Sequence, residues 1–309
     1  MAKDFIAITD MSSEDIKRTI NNAIKEKEAG YTSFLDNSVD RILDGKSVAM
    51  IFKKPSLRTR ISFEIGVKQL GGHPLYITDA SIGLGSREAV SDASRVLDRY
   101  VDMIVIRTFD HEEILQIAKW AEIPVINALT DLLHPCQIIS DALTIKEHKG
   151  RMEDLKIAIV GDGANNIANS WLNYASRISI DLRIGSSGDR TPNKEVLDYA
   201  KNAGKSDILI TSDPVEAVKD ADVIYTDVWA SMGEKEQLEA RIKALQPFQV
   251  NQKLMSHADK DAIFMHCLPA ERGREVPDDV IDSPQSVVFD QAENRLHAQK
   301  GIIRWLFEK

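Results

Sequence analysis

Lys156-Ile157-Ala158-Ile159-Val160-Gly161-Asp162-Gly163-Ala164-Asn165-Asn166 is a short apolar run that breaks into a glycine turn. A buried parallel strand feeding a helix reads this way. The turn nearly matches a dinucleotide-binding fingerprint, but the third glycine position holds Asn166. The acid that would hold a ribose at the end of the next strand is also missing, since Leu182-Arg183-Ile184-Gly185-Ser186-Ser187 contains none. The stretch therefore predicts an α/β domain that does not use a nicotinamide cofactor.

The same pattern repeats in both directions. Downstream, candidate strands lie at 180–184, 207–211, 222–226 and 262–265. Upstream, a first series runs through 47–52, 74–77, 102–106 and 124–127, with amphipathic segments between. A leading helix carries the cap Ser12-Ser13-Glu14-Asp15 and Ile16, Ile20 and Ile24 at helical spacing. Alternation of this kind predicts parallel sheets covered by helices on both faces. The break between the series falls near Glu147-His148-Lys149-Gly150-Arg151, and the last segment, 292–307, reads as a helix.

With 309 residues, 43% hydrophobic and 28% charged, the chain has material for two ordinary cores and is not wholly disordered. Its formal charge of −9 gives no general field for nucleic acid, so any anion site must be local. No apolar run approaches the roughly 20 residues that span a bilayer. The N-terminus lacks a secretory core, which makes the cytoplasm the expected location. Cys136 and Cys267 are too few for a disulfide framework, and neither has a second cysteine or histidine at ligand spacing. His266 is taken to face away from Cys267, as neighbours on a strand do, so no metal is expected.

Ser56-Leu57-Arg58-Thr59-Arg60 ends one strand and opens a helix. Unpaired backbone N–H groups, the helix dipole, two hydroxyls and the Arg58 fork suit phosphate oxygens. A serine cap followed by solvated arginines would look the same in isolation. The ends of other strands decide between them: Arg107 follows the third strand, and His134-Pro135-Cys136-Gln137 follows the fourth. Ligands of open parallel sheets bind beyond the carboxyl ends of the strands, so Arg58, Arg107 and His134 are expected in one crevice.

The second series carries Asp227 with Ser231-Met232-Gly233, then His266-Cys267-Leu268-Pro269 after its final apolar run. An isolated aspartate in this position would more often be a helix cap. In their order, and over nearly the whole chain, these segments resemble the ornithine carbamoyltransferases of the aspartate/ornithine carbamoyltransferase family.

That resemblance implies two doubly wound domains with the active site in the cleft between them. A carbamoyl-phosphate domain would span 1–148, completed by a C-terminal helix at 291–309, and an ornithine domain would span 149–290. Ser56, the Leu57 backbone, Arg58 and Thr59 would hold phosphate. Arg107, His134, Gln137, Cys267, the Leu268 carbonyl and Arg295 would surround the carbamoyl group. Arg295 rests on the resemblance alone, since by itself it reads as a surface charge. Asn166, Asp227, Ser231 and Met232 would bind ornithine, with Asp227 accepting from an ammonium and Asn166 and Ser231 facing the carboxylate.

The implied reaction is direct attack of the δ-amine on the carbamoyl carbon, through a tetrahedral intermediate, with no metal or organic cofactor. Arg58, Arg107 and His134 would stabilise the developing oxyanion, and Asp227 and Cys267 would assist loss of the amine proton. The resemblance also implies a homotrimer, or a multiple of trimers, with sites at subunit interfaces. The family often has Gln or His at the position of Gly83, which supplies no side chain; Ser86, Arg87, backbone or water would have to replace it. Aspartate carbamoyltransferases share the phosphate motif but bind their amino acid through an arginine- and proline-containing loop. Ser-Met-Gly favours free ornithine over putrescine or acetylornithine, and the paired half-sites argue against a non-catalytic carbamoyl-phosphate binder.

Overall fold

The computed structural model describes residues 4–30, 40–85, 87–229 and 238–308. The chain forms two compact units: Met1–Leu143 with Glu293–Lys309, and Thr144–Ala292. Each is built on a parallel sheet, as the alternation predicts.

In the first unit the strands are β1 (Ser47–Phe52), β2 (His73–Thr78), β3 (Met103–Arg107) and β4 (Val125–Leu129), in the order β2-β1-β3-β4. Each expected strand forms, with ends shifted by a residue or two. β4 is buried throughout and β1 and β3 nearly so, which explains their unbroken apolar runs. The helices are α1 (Ser13–Ala29), α2 (Leu57–Gln69), α3 (Asp79–Ile82), α4 (Val90–Leu97), α5 (His111–Trp120) and α6 (Pro135–Lys149). The Ser12 hydroxyl accepts from the Asp15 N–H and caps α1 as read from sequence.

The second sheet contains β5 (Lys156–Val160), β6 (Asp181–Gly185), β7 (Asp207–Thr211), β8 (Val223–Thr226) and β9 (Ile263–His266), in the order β7-β6-β5-β8-β9. Its helices are α7 (Asn166–Ala175), α8 (Lys194–Ala203), α9 (Pro214–Val218), α10 (Leu238–Leu245), α11 (Gln252–Met255) and α12 (Asp278–Ile281). Ala158, Val160, Ile224, Trp229 and Phe264 lie in one buried cluster beneath it.

Two expected boundaries shift. α6 runs to Lys149, into the polar stretch read as a break. The last helix, α13 (Val288–Phe307), begins four residues before Ala292. Polar residues on a helix face need only point away from the core, so composition alone does not end a helix.

From Glu293 onward α13 belongs to the first unit. A Cβ on Gly301 would lie 3.1 Å from the Thr19 carbonyl, so glycine permits close approach to α1. Arg304 pairs with Glu26, donates to Asp40 Oδ2 at 2.9 Å, and Lys27 donates to Asn294 Oδ1 at 2.8 Å. Among the described residues, no helix is long and apolar enough to cross a membrane.

The free edge of β4 is covered by the N-terminal segment. Phe5 N–H donates to the Val125 carbonyl at 2.8 Å, and Asp4 Oδ1 accepts from Val125 N–H at 2.9 Å. Burial raises the Asp4 pKa to about 6, partly opposed by that hydrogen bond. The folded chain therefore holds this proton more tightly than the unfolded chain, and stability falls as pH rises from about 4 through 6. Asp4→Asn keeps the acceptor and removes the charge. Thermal melts should show it more stable than the parent at about pH 8, by roughly 1 kcal/mol after allowing for partial exposure, with the gap closing near pH 4.

Candidate active site

Both sheets reverse strand order once, between β1 and β3 and between β5 and β8. At such a point neighbouring crossovers leave in opposite directions, and a crevice opens beyond the carboxyl ends of the strands. The candidate residues lie at these two places.

In the first unit, Ser56 caps α2 through its Oγ, which accepts from Thr59 N–H at 3.4 Å and donates to Thr59 Oγ1 at 3.0 Å. Thr59 is 1% exposed and is the hub of the site. Arg107, the last residue of β3, reaches its hydroxyl at 3.5 Å, and Arg295 from α13 reaches it at 3.4 Å. Arg295 also donates to Gln137 Oε1 at 2.6 Å, while Gln137 Nε2 donates to Asp141 Oδ1 at 2.8 Å. Arg295 is thus a buried member of the site, which corrects its reading by composition as a surface charge. Gln137 holds that arginine in place. Leu57 is 70% exposed at the start of α2, and Arg58 beside it is half-buried.

His134, just before α6, is buried, and its pKa lies well below the usual 6.5. Desolvation is the main cause, reinforced by Arg295, Arg107 and Lys54. The imidazole is therefore neutral at neutral pH, a hydrogen-bonding group among cations. Lys54 was not among the residues picked from sequence. It pairs with Asp131 at 2.8 Å and lies 4.3 Å from the Phe109 ring centre. Its place two residues before Ser56 was the available signal.

In the second unit, Asp227 follows β8 and Cys267 follows β9. The Cys267 thiol donates to Asp227 Oδ1 at 3.0 Å, and Val228 N–H donates to the same oxygen at 2.8 Å. Burial raises the Asp227 pKa, opposed by these two hydrogen bonds. Asp227 caps no helix among the described residues; its carboxylate faces the Cys267 thiol and the Val228 N–H. Asn165, which was not picked from sequence, lies in reach of it, with Nδ2 at 3.5 Å from Asp227 Oδ2. Asn165 Oδ1 also accepts from Ala168 N–H and caps α7, with Asn166 as the first helical residue. Ser231, Met232 and Gly233 lie outside the described residues, as does Ser86. Gly83 ends α3 with φ 58°, a left-handed position that suits glycine.

The expectation that His266 and Cys267 face apart does not hold. Strand alternation stops at His266, the end of β9, and Leu268 turns into the left-handed region with φ 55°. Donor atoms of Asp227, His266 and Cys267 consequently lie within 4.8 Å of one another. Leu268 N–H donates to His266 Nδ1 at 2.8 Å, which places the ring proton on Nε2, 3.2 Å from Glu275 Oε1. A neutral imidazole has one lone pair, and here it is taken. The cluster therefore reads as a hydrogen-bonded turn with no nitrogen open to a cation. Glu275 completes it by accepting from Glu271 N–H at 2.5 Å, and no spacing in the sequence signalled this.

The two cysteines differ in environment. Cys136 is fully buried, donates to the Asn127 carbonyl, and has a pKa pushed to about 12 by burial, whereas Cys267 is half-buried. A disulfide thiol reagent should label Cys267 alone in the native chain and both cysteines after denaturation; peptide mass mapping reads this directly. Native labelling of Cys136 would contradict the packing.

Residues 3–147 match the family described as aspartate/ornithine carbamoyltransferase, carbamoyl-P binding domain, and residues 153–306 match its Asp/Orn binding domain. The chain is 47% identical over 303 residues to an ornithine carbamoyltransferase of Methanocaldococcus jannaschii, covering 97% of each. Its fold is similar to the ornithine carbamoyltransferase of Pyrococcus furiosus, with TM-score 0.91 and 46% identity over 98% of this chain and 96% of that one. It is also similar to the anabolic ornithine carbamoyltransferase of Campylobacter jejuni, with TM-score 0.91 and 37% identity over 98% of each.

Proposed function

Because the chain belongs to the aspartate/ornithine carbamoyltransferase family, we propose that it transfers the carbamoyl group of carbamoyl phosphate to the δ-amine of L-ornithine, yielding L-citrulline and phosphate for arginine biosynthesis. The observation that carries the ornithine reading is the Asp227–Cys267 pair beyond the carboxyl ends of β8 and β9 in the second unit.

The donor end follows from charge. Ser56, Arg58, Thr59 and the Leu57 backbone hold phosphate at the start of α2, where helix dipole and free N–H groups favour an anion. Arg107, His134 and Arg295 meet the carbamoyl oxygen, whose charge grows as the carbon becomes tetrahedral. A neutral His134 can donate to that oxygen without adding a further buried cation. Gln137 acts through Arg295.

The acceptor end needs the opposite character. A free alkyl amine has a pKa near ~10 and must lose a proton before attack. Asp227 accepts from the ammonium, Cys267 lies against the same carboxylate, and the departing phosphate is the final proton acceptor. Asn165, Asn166, Ser231 and Met232 bind the amino-acid end, and the Leu268 carbonyl accepts from the carbamoyl NH2. Cys267 donates its S–H to Asp227, which supports a thiol role over a covalent one. Transfer needs donor and amine in contact, and holding the two substrates together removes much of their bimolecular entropy cost.

The same reading includes a homotrimer. Leu57 and Ile61 on α2, 70% and 51% exposed, and the half-exposed edge strand β2 support self-association.

The test is citrulline formation from carbamoyl phosphate with ornithine, aspartate, putrescine or acetylornithine as acceptor, with activity expected for ornithine alone. Asp227→Asn should lower kcat/KM for ornithine by about a hundredfold or more and leave the KM for carbamoyl phosphate nearly unchanged. Because the His134 pKa is depressed, the pH profile of kcat should show no histidine limb between about pH 6 and 8. A limb there that disappears in His134→Asn would overturn the neutral role.

A further inference from the structure

The turn from Gly161 to Asn166 is held by a residue that the proposed reaction does not use. Arg190 lies on the connection from β6 to α8 and grips Asp162 at two points, Nε to Oδ1 at 3.0 Å and Nη2 to Oδ2 at 2.6 Å. Asp162 is 6% exposed, and its Oδ1 also accepts from Ala164 N–H at 2.9 Å. Gly163 lies so close to this connection that a Cβ would come within 2.6 Å of the Arg190 carbonyl. Its N–H donates to Ser186 Oγ at 3.0 Å. The connection is itself fixed, by Arg190 N–H to the Ser187 carbonyl at 2.8 Å and Asn193 N–H to Asn169 Oδ1 at 3.0 Å. In a dinucleotide-binding turn the second glycine lets backbone approach a pyrophosphate. Here the Arg190 backbone fills that space.

Three residues after Asp162, the Asn165 amide divides between the α7 cap and the Asp227 carboxylate. We propose that Arg190 is a positioning residue for the amino-acid substrate: through Asp162 it fixes the turn that presents Asn165 beside Asp227 and leads into Asn166 at the start of α7. This inference rests on the amino-acid role proposed above for that end of the site. Removing Arg190 leaves a nearly buried carboxylate without its counter-charge. The turn relieves this by shifting toward solvent, and displacement of a substrate-holding amide by an ångström is enough to cost affinity and rate.

Steady-state kinetics on the full-length assembled chain test it. Arg190→Ala should raise the KM for L-ornithine about tenfold and leave that for carbamoyl phosphate within about twofold. Arg190→Lys, which keeps the charge but not the fork, should recover part of the loss. Asp162→Asn combined with Arg190→Ala should cost no more than Arg190→Ala alone, since both act through one contact. The proposal is overturned if Arg190→Ala leaves the ornithine KM unchanged in a chain whose parent makes citrulline. It is also overturned if both KM values and the melting temperature move together without rescue by lysine. A parent chain that makes no citrulline removes the functional reading itself, and this inference with it.

Discussion

A parallel strand can join the next only by a crossover, so every strand-to-helix turn opens at the same edge of its sheet. The rest of the chemistry depends on this constraint. In the first unit it gathers the turns after β1, β3 and β4, which bring Thr59, Arg107 and His134 to one edge. In the second it gathers the turns after β5, β8 and β9, which bring Asn165, Asp227 and Cys267 together. The reversal of strand order in each sheet opens space among these turns.

The two groups are electrostatic opposites. Around Thr59 the protein assembles two arginines, with Lys54 near them, and burial keeps His134 neutral among the cations. A cluster of that sign is completed by a dianionic donor and remains favourable as charge moves onto a carbonyl oxygen. Around Asp227 the same physical cause, desolvation, favours the protonated carboxyl, while the thiol and the Val228 N–H favour the ionised one. A carboxylate balanced in this way can accept from an ammonium and release it again.

Rigidity comes from groups remote from the reacting atoms. Glu275 and His266 hold the turn that carries Cys267 and Leu268, Arg190 and Asp162 hold the turn that carries Asn165, and Gln137 holds Arg295. In each case a charged or polar pair is largely withdrawn from water, so departure from its geometry is costly. The close approach at Gly301 plays a similar part for α13, which delivers Arg295 to the first unit.

The sequence by itself determined the parallel architecture, the described strands of both sheets and the caps at Ser12 and Ser56, because burial on both faces writes continuous apolar runs and helix starts need particular caps. It also placed Ser56, Arg58, Thr59, Arg107 and His134 at strand ends, where position along the chain implies position in space. What only the tertiary structure decided depends on distant partners. Arg295 looks like a surface charge until α13 brings it to Thr59. Asn165 and Asn166 are indistinguishable by composition, and the cap geometry of α7 brings Asn165 within reach of Asp227. His266 was read as facing away from Cys267 because alternation was assumed to continue, and the turn at Leu268 ends it. Glu275, Arg190 and Asp162 carry no local signal, because a buried ion pair or hydrogen bond is defined by two segments and periodicity reports only one.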